Sequence, residues 1–491
     1  MQRLTTRLAL AASLLLLLAA ACTHGHGGAA RRPAVAQTAA GAGSAATPGA
    51  DGSAKTAPLP GGSAKKPPPG KKPTDRLLWV SIDGLSWSRL QASKLPLPNL
   101  RKLLRDGVAG PLLSVFPSQT WPAHASLLTG SWPARHGVVG NHIWRRAEGH
   151  VVHAWQLPQG ELLQGDTLYD AAHRAGVKTA NVFWPNTANA KGLDWNLPEV
   201  YGWSEFRKLG SPGLMKELAG IGLPSDRMTR ISHEESFEFD SFTRDTAEHV
   251  LTTHRPGLTM VHLLSLDTLS HRYGPDSRAA GWGLALCDLI LGQLLTTWRT
   301  VGGGPVVIVS DHGFTQVDDG IGIRLVPGSA KLSHRERAAT HLVGNGHALY
   351  VYADATADGA KGLAKLKRHL SADPRLDAWL EAREMVAMHL GDPAKQTWLP
   401  DAIALMKPEV LIWSTRSRRQ ERKPIWRGNH GHRPETPGLE GVFIASGPGF
   451  RSGLQVPGLR AIDVAPTLAQ RFGWTLRGTH DGRVRSEVLA P

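Results

Sequence analysis

The feature that most constrains this chain is a repeated pattern from residue 76 onward. Short apolar runs of strand length alternate with amphipathic or apolar helical segments, and several of the runs lead directly into Asp or His. "RLLWVSIDGL" ends in Asp83-Gly84, "PGLTMVHLLSLDTLSH" leads to Asp267 and His271, and "GPVVIVSDHGF" ends in Asp311-His312. "EGVFIASGPGF" is a further strand, and "DTLYDAAHRAGVKTANVFW" reads as helix then strand. "LPNLRKLLRDGV", "AAGWGLALCDLILGQLLTTW" and "AIDVAPTLAQRFGW" read as helices. Continuous apolar strands alternating with helices predict an α/β fold, a mostly parallel central sheet flanked by helices on both faces. Residues 320–425 have a weaker pattern with several turn signals and read as a less regular region decorating the sheet.

The ends of the chain divide differently. Residues 1–22, "MQRLTTRLALAASLLLLLAAAC", combine a basic start with a Leu/Ala run and a small-residue approach to Cys22. This is a secretory signal peptide of the lipoprotein type, with Cys22 as the lipidated N-terminus. Residues 23–75 are Ala, Gly, Pro, Ser and Lys with almost no large apolar side chain, so they read as a disordered linker. The predicted product is exported and held in a bacterial cell envelope, periplasmic or at the surface, by an N-terminal lipid anchor, with residues 76–491 as its domain; an ordinary signal peptide that happens to contain a cysteine is the alternative and gives a periplasmic or secreted product. Through Asp75 the chain has nine Lys/Arg and two Asp, which leaves +8 of the formal +15 for the domain. That mild, diffuse excess suits a small anionic substrate and identifies no nucleic-acid partner. Cys22 and Cys287 are the two cysteines, so a processed Cys22 leaves no intramolecular disulfide.

In open α/β sheets, ligands bind beyond the carboxyl ends of the strands. Asp83, Asp267, His271, Asp311, His312 and His430 (in "WRGNHGHRP") are thus three Asp and three His on separate loops that one sheet edge can gather. Oxygen and nitrogen donors without thiolates suit Zn²⁺, with Mn²⁺ as the alternative. Six donors exceed one tetrahedral zinc and suit two ions about 4 Å apart, a clamp used in phosphoryl transfer. In "VFPSQTWPAHASLLTG", Thr120 precedes a Trp-Pro pair at a helix start. An ion on its oxygen would stabilise the alkoxide, and the helix N-terminus would receive phosphate oxygens.

Taken in order, "SIDG", "LPNLRKLLRDGV", "FPSQTWPAHASLLTGSWPARHGVVGN", "VFWPN", "DTLSHRYGP", "SDHGF", "GNHGH" and "IDVAPTLA" resemble the nucleotide pyrophosphatase/phosphodiesterase family of the alkaline phosphatase superfamily. The resemblance implies a metal-dependent hydrolase of phosphodiester or pyrophosphate bonds, acting through a phospho-threonine on Thr120. It implies two Zn²⁺ per chain, one held by Asp83, Asp311 and His312 near Thr120, the other by Asp267, His271 and His430. It makes Asn141 a hydrogen-bond donor to a phosphoryl oxygen and Trp121 a stacking surface for a nucleotide base or aryl group. Departures from the family pattern lie at Ala123 and at Gly431-His432-Arg433-Pro434, which leaves His432 a rival to His430; the Gly-x-His-Gly context favours His430. His124 reads as structural. A phosphate monoesterase or phosphonate hydrolase on this scaffold is the alternative, with Arg145, Lys191 and Arg433 as candidate cations for a monoester dianion. A sulfatase is disfavoured because "PSQTWPAH" lacks the Cys/Ser-x-Pro-x-Arg pattern. A non-catalytic surface-binding lipoprotein is the alternative of another class.

Overall fold

The computed structural model describes residues 76–200, 203–223, 236–413 and 426–491. The signal, lipid-anchor and linker readings concern residues 1–75 and lie outside the described residues. The central sheet is built from β1 (Leu77–Ile82), β2 (Val108–Leu113), β3 (Thr179–Val182), β4 (Trp195–Leu197), β5 (Leu258–Leu263), β6 (Val306–Val309) and β7 (Gly441–Ser446). Its order is β2-β7-β6-β1-β5-β3-β4, with two short strands, Leu454–Gln455 and Leu459–Arg460, added beside β2. All the ladders from β6 to β4 are parallel, whereas β7 runs antiparallel to both β6 and β2. The sheet is therefore mixed through one reversed strand. A doubly buried strand is apolar in either direction, so its sequence carries no sign of its polarity.

Period-2 alternation in β1 sorts side chains between two cores. Leu78, Val80 and Ile82 face the cluster that includes Leu284, Ile290, Leu291 and Leu294 of a long helix. Leu77 and Trp79 face the opposite cluster with Leu127, Leu128, Val464 and Leu468. All of these are buried, and truncating one of the larger ones to Ala costs about 2–5 kcal/mol. The helices that matter below are α1 (Thr120–Thr129), α2 (Pro212–Gly220), α3 (Ser236–Thr253), α4 (Ser265–Tyr273), α5 (Arg278–Thr300) and α6 (Ala461–Phe472). All ten residues of α1 are buried, as expected of a helix with apolar or small residues on every face.

Between β6 and β7 lies a second, antiparallel sheet in the order Thr340–Asn345, Ala348–Ala353, Ala402–Met406, Leu376–Leu380. It has its own apolar core around Tyr350, Tyr352, Ile403 and Leu405. It also touches the site: Asn345 accepts from His142 N–H at 3.0 Å and donates to His142 O at 2.9 Å, which fixes the segment that begins at Asn141.

Candidate active site

The carboxyl ends of β1, β5 and β6 lie side by side, and each delivers ligand-type residues. Asp83 follows β1 directly, and Asp311 and His312 follow β6. Asp267 and His271 are not on a loop after β5 but on α4, four residues apart on one helical face. His430 follows a two-residue strand, Gly428–Asn429, that pairs with Thr315–Gln316. Two of the turns require glycine. Gly84 has φ +73° and a Cβ there would meet Phe314 at 2.5 Å; Gly431, after His430, has φ +98°.

These residues form two groups of three, each with its donor atoms within 4.8 Å of one another: Asp83, Asp311 and His312, and Asp267, His271 and His430. In the first, His312 Nε2 lies 3.4 Å from Asp83 Oδ1 and 3.1 Å from Asp311 Oδ2. In the second, Asp267 Oδ1 lies 3.5 Å from His271 Nε2 and 3.7 Å from His430 Nε2. The groups abut, since the His312 and His430 rings stack with centroids 3.6 Å apart. His432 is not among them; its Nδ1 pairs with Thr436 Oγ1 at 2.7 Å.

The three histidines share one orientation. His271 Nδ1 faces Gly428 O at 3.0 Å, His430 Nδ1 faces Ser118 O at 3.0 Å, and His312 Nδ1 faces Gly313 O at 3.1 Å. Carbonyl partners assign each ring proton to Nδ1 and leave Nε2 as a lone-pair donor, the arrangement metal-ligating histidines use. The Nε2 atoms of His271 and His430 then face each other at 3.1 Å with no proton between them, which a cation would resolve. Asp83 Oδ1, Asp267 Oδ1 and Asp311 Oδ2 are buried acceptors with no hydrogen-bond partner among the described residues. Orphaned buried carboxylate oxygens are costly unless a cation meets them. Burial, then the Asp311 charge, pushes Asp83 well above the usual carboxylate range; burial, then Asp83 and Asp311, does the same to Asp267. Burial holds His312 low, and burial with His312 and His271 holds His430 well below its ordinary value, so both rings are neutral donors. The donor set therefore fits two borderline-soft divalent ions.

Thr120 is the first residue of α1, 5 % exposed, with Oγ1 3.4 Å from His312 Nε2. Asn141 is held against the same helix end: its Oδ1 accepts from Trp121 N–H at 3.2 Å and its N–H donates to Gln119 Oε1 at 3.2 Å. That engages the amide oxygen and leaves Nδ2 without a partner among the described residues. Trp121 itself is only 4 % exposed and packs with Ala125, Val138 and Leu162, its ring 5.3 Å from that of Trp155. These contacts set Trp121 among the apolar residues of that cluster. His124 is wedged between Thr120 O at 2.8 Å and Ser81 Oγ at 2.9 Å. Burial keeps it neutral, its pKa lowered to about 3.

Sequence reasoning missed His262 and Glu199. His262 sits inside β5 with Nε2 3.3 Å from Asp83 Oδ2 and Nδ1 2.9 Å from Glu199 Oε2. Burial opposes its charge, but Glu199 and Asp83 on either side outweigh burial and raise it well above the ordinary histidine value. Held between Glu199 and Asp83, the ring orients the Asp83 carboxyl group. The available signal was a histidine in the otherwise apolar run "LTMVHL".

The candidate monoester cations each have a polar partner. Arg145 pairs with Glu148 at 2.7 Å, Arg433 lies 3.4 Å from Asp377, and Lys191 Nζ reaches Asn189 Oδ1 at 3.4 Å.

Comparison with known proteins agrees with this layout. The chain is 21 % identical over 414 residues to human ectonucleotide pyrophosphatase/phosphodiesterase family member 5, covering 82 % of this chain and 75 % of that protein. It is 23 % identical over 418 residues to mouse family member 1, covering 81 % of this chain and 40 % of that longer protein. A solved structure of murine ectonucleotide pyrophosphatase/phosphodiesterase 5, an inactive threonine-to-alanine variant in complex with AMP, superimposes with a TM-score of 0.65 at 20 % identity. It covers 84 % of this chain and all of that one, and so supports the same fold. Residues 77–433 match the family described as type I phosphodiesterase/nucleotide pyrophosphatase. The chain belongs to that family, a branch of the alkaline phosphatase superfamily whose members are hydrolases of phosphodiester and pyrophosphate bonds.

Proposed function

We propose that this chain hydrolyses phosphodiester or phosphoanhydride bonds of small anionic substrates, nucleotides foremost, at a two-zinc site with Thr120 as nucleophile. The observation that carries this is the pair of adjacent donor groups, each Nε2 freed by a carbonyl on Nδ1, beside a threonine hydroxyl at a helix N-terminus. Asp83, Asp311 and His312 would hold one ion; Asp267, His271 and His430 the other. When bound, the two ions supply electrophilic stabilisation of the threonine alkoxide and of the departing oxygen. Thr120 Oγ1 forms the new bond to phosphorus as the ester oxygen opposite departs, giving a phospho-threonine. The Thr120 N–H, at the start of α1, and Asn141 Nδ2 donate to the non-bridging oxygens as charge gathers there. Water then attacks the phospho-threonine and restores the hydroxyl.

A diester presents one negative charge where a monoester presents two, and Arg145, Lys191 and Arg433 are engaged with Glu148, Asn189 and Asp377 respectively. This favours the diester over the monoesterase alternative. The intact donor set argues against a non-catalytic binding protein. A nucleotide substrate is supported by the AMP complex of the murine relative. Export rests on residues 1–22 and on the names of relatives as ectonucleotide enzymes; lipid anchoring rests on residues 1–22 alone.

The test uses the full chain, stripped with chelator and reloaded with Zn²⁺, assayed on bis-p-nitrophenyl phosphate and p-nitrophenyl phosphate. Diester preference that disappears in Thr120→Ala is expected. Monoester preference would move the assignment to a phosphatase, and turnover unchanged in Thr120→Ala would remove the threonine from the chemistry.

A further inference from the structure

A third donor group lies at the other end of the sheet. Glu217 on α2 meets His249, four residues before Thr253 at the end of α3, and His254 just beyond it. Glu217 Oε2 is 3.1 Å from His249 Nε2 and 2.6 Å from His254 Nε2, and all three donor atoms lie within 4.8 Å of one another. The group is at the amino ends of the strands: β5 begins at Leu258, and Trp195, the first residue of β4, stacks on His254 with centroids 4.2 Å apart. The catalytic residues lie at the carboxyl ends, so the two places are separated by the length of the sheet.

We propose that Glu217, His249 and His254 form a separate site for a divalent first-row cation, zinc in the first instance, that cross-links α2 to the end of α3. Two imidazoles and one carboxylate are a set suited to zinc, with a fourth position for water. The His249 and His254 side chains are 18 % and 16 % exposed and Glu217 is 35 % exposed, so solvent can supply that water while the rings stay fixed. Trp195 fixes the His254 plane, and Thr253 Oγ1 lies 3.5 Å from His249 Nδ1, on the side away from the convergence point. The C-terminal end of the 18-residue helix α3 carries partial negative charge, which favours a cation there. The ion would clasp the edge of the sheet and has no part in the hydrolysis.

The test compares zinc content of the full-length chain, wild type against Glu217→Gln, His254→Gln and His254→Phe, at one buffered free zinc concentration. His254→Phe removes the ligand and keeps a ring on Trp195, so it separates metal loss from misfolding. The expected result is one zinc more in wild type than in each variant, with bis-p-nitrophenyl phosphate turnover the same in all four. Thermal unfolding should show zinc raising the wild-type midpoint more than that of His254→Phe. Removing one protein ligand should weaken this site by at least about tenfold. Equal zinc in wild type and all three variants would overturn the proposal and leave the group as hydrogen bonds from two imidazoles to one carboxylate. Because the readout is a difference between chains, it stands whether or not the catalytic groups take two ions.

Discussion

The two donor groups of the candidate active site have the same composition in kind, Asp and His, but different surroundings. In the group nearest Thr120, the Asp83, Asp311 and His312 side chains are at most 3 % exposed and come from the ends of two adjacent parallel strands. In the other, Asp267 and His271 are 14 % and 15 % exposed and His430 is 6 % exposed, and they come from a helix and a short antiparallel pair. A group fixed by the central sheet costs little reorganisation and can position a nucleophile. A group on the rim can meet water and a departing oxygen. The difference suggests that burial, rather than ligand type, divides the labour between the two halves.

The most severe way to break this division is Thr120→Ala, which should lower kcat by about ten-thousand-fold or more while both donor groups keep their metal. Steady-state turnover together with elemental analysis checks it; loss of metal along with activity would mean that the hydroxyl is needed to build the buried site. Next, Asp311→Asn should cost roughly a thousandfold in kcat/KM, the several kcal/mol a bound ion supplies. His271→Gln should cost less, roughly a hundredfold, because the rim can recruit water in its place. Graded chelation sharpens the contrast. In a His254→Gln background, stopped-flow with a zinc-sensitive dye should show a fast and a slow release phase. His271→Gln should remove the fast one; its removal by Asp311→Asn instead would reverse the assignment of exposed and buried ions. Asn141→Ala should lower kcat by about a hundredfold with little change in metal content, as for loss of one oxyanion donor.

The smallest expected effect is on stability. His136 is buried, donor and acceptor to Ser126 Oγ and Val138 N–H, with its pKa lowered by burial to about 3; His347 is lowered likewise to about 4. Above about pH 6.5 these rings are neutral in both folded and unfolded chains. Below it the unfolded chain takes up protons that the folded one refuses, so stability falls as pH drops toward the folded values. Each ring should contribute about 1.4 kcal/mol per pH unit in that window. Thermal midpoints from pH 7 to pH 4 should decline less steeply in His136→Gln than in wild type.

Much of the buried group was legible in the sequence, because an apolar run of strand length followed by Asp83 or by Asp311-His312 fixes both the element and the end of the sheet. The rim group was less so. Asp267 and His271 read as loop residues because the apolar run "LLSL" hides where β5 stops and α4 starts. The reversal of β7 was not legible, since a fully buried strand has no polar face to reveal its direction. His262 and Glu199 were missed because their pairing spans 63 residues and depends on strand order. The hold of Asn345 on His142 spans 203 residues and depends on the second sheet. Trp121 reads as a substrate platform because aromatic residues beside a nucleophile suggest one; its packing with Val138, Leu162 and Trp155 was not legible, because those residues come from segments distant in the chain.

The most direct test of the two-group account is anomalous diffraction at the zinc edge from crystals of the zinc-loaded full chain. It should show one peak enclosed by Asp83, Asp311 and His312 and a second enclosed by Asp267, His271 and His430. A single peak shared by the six residues, or none among them, would contradict the division of the site into a buried and a rim ion.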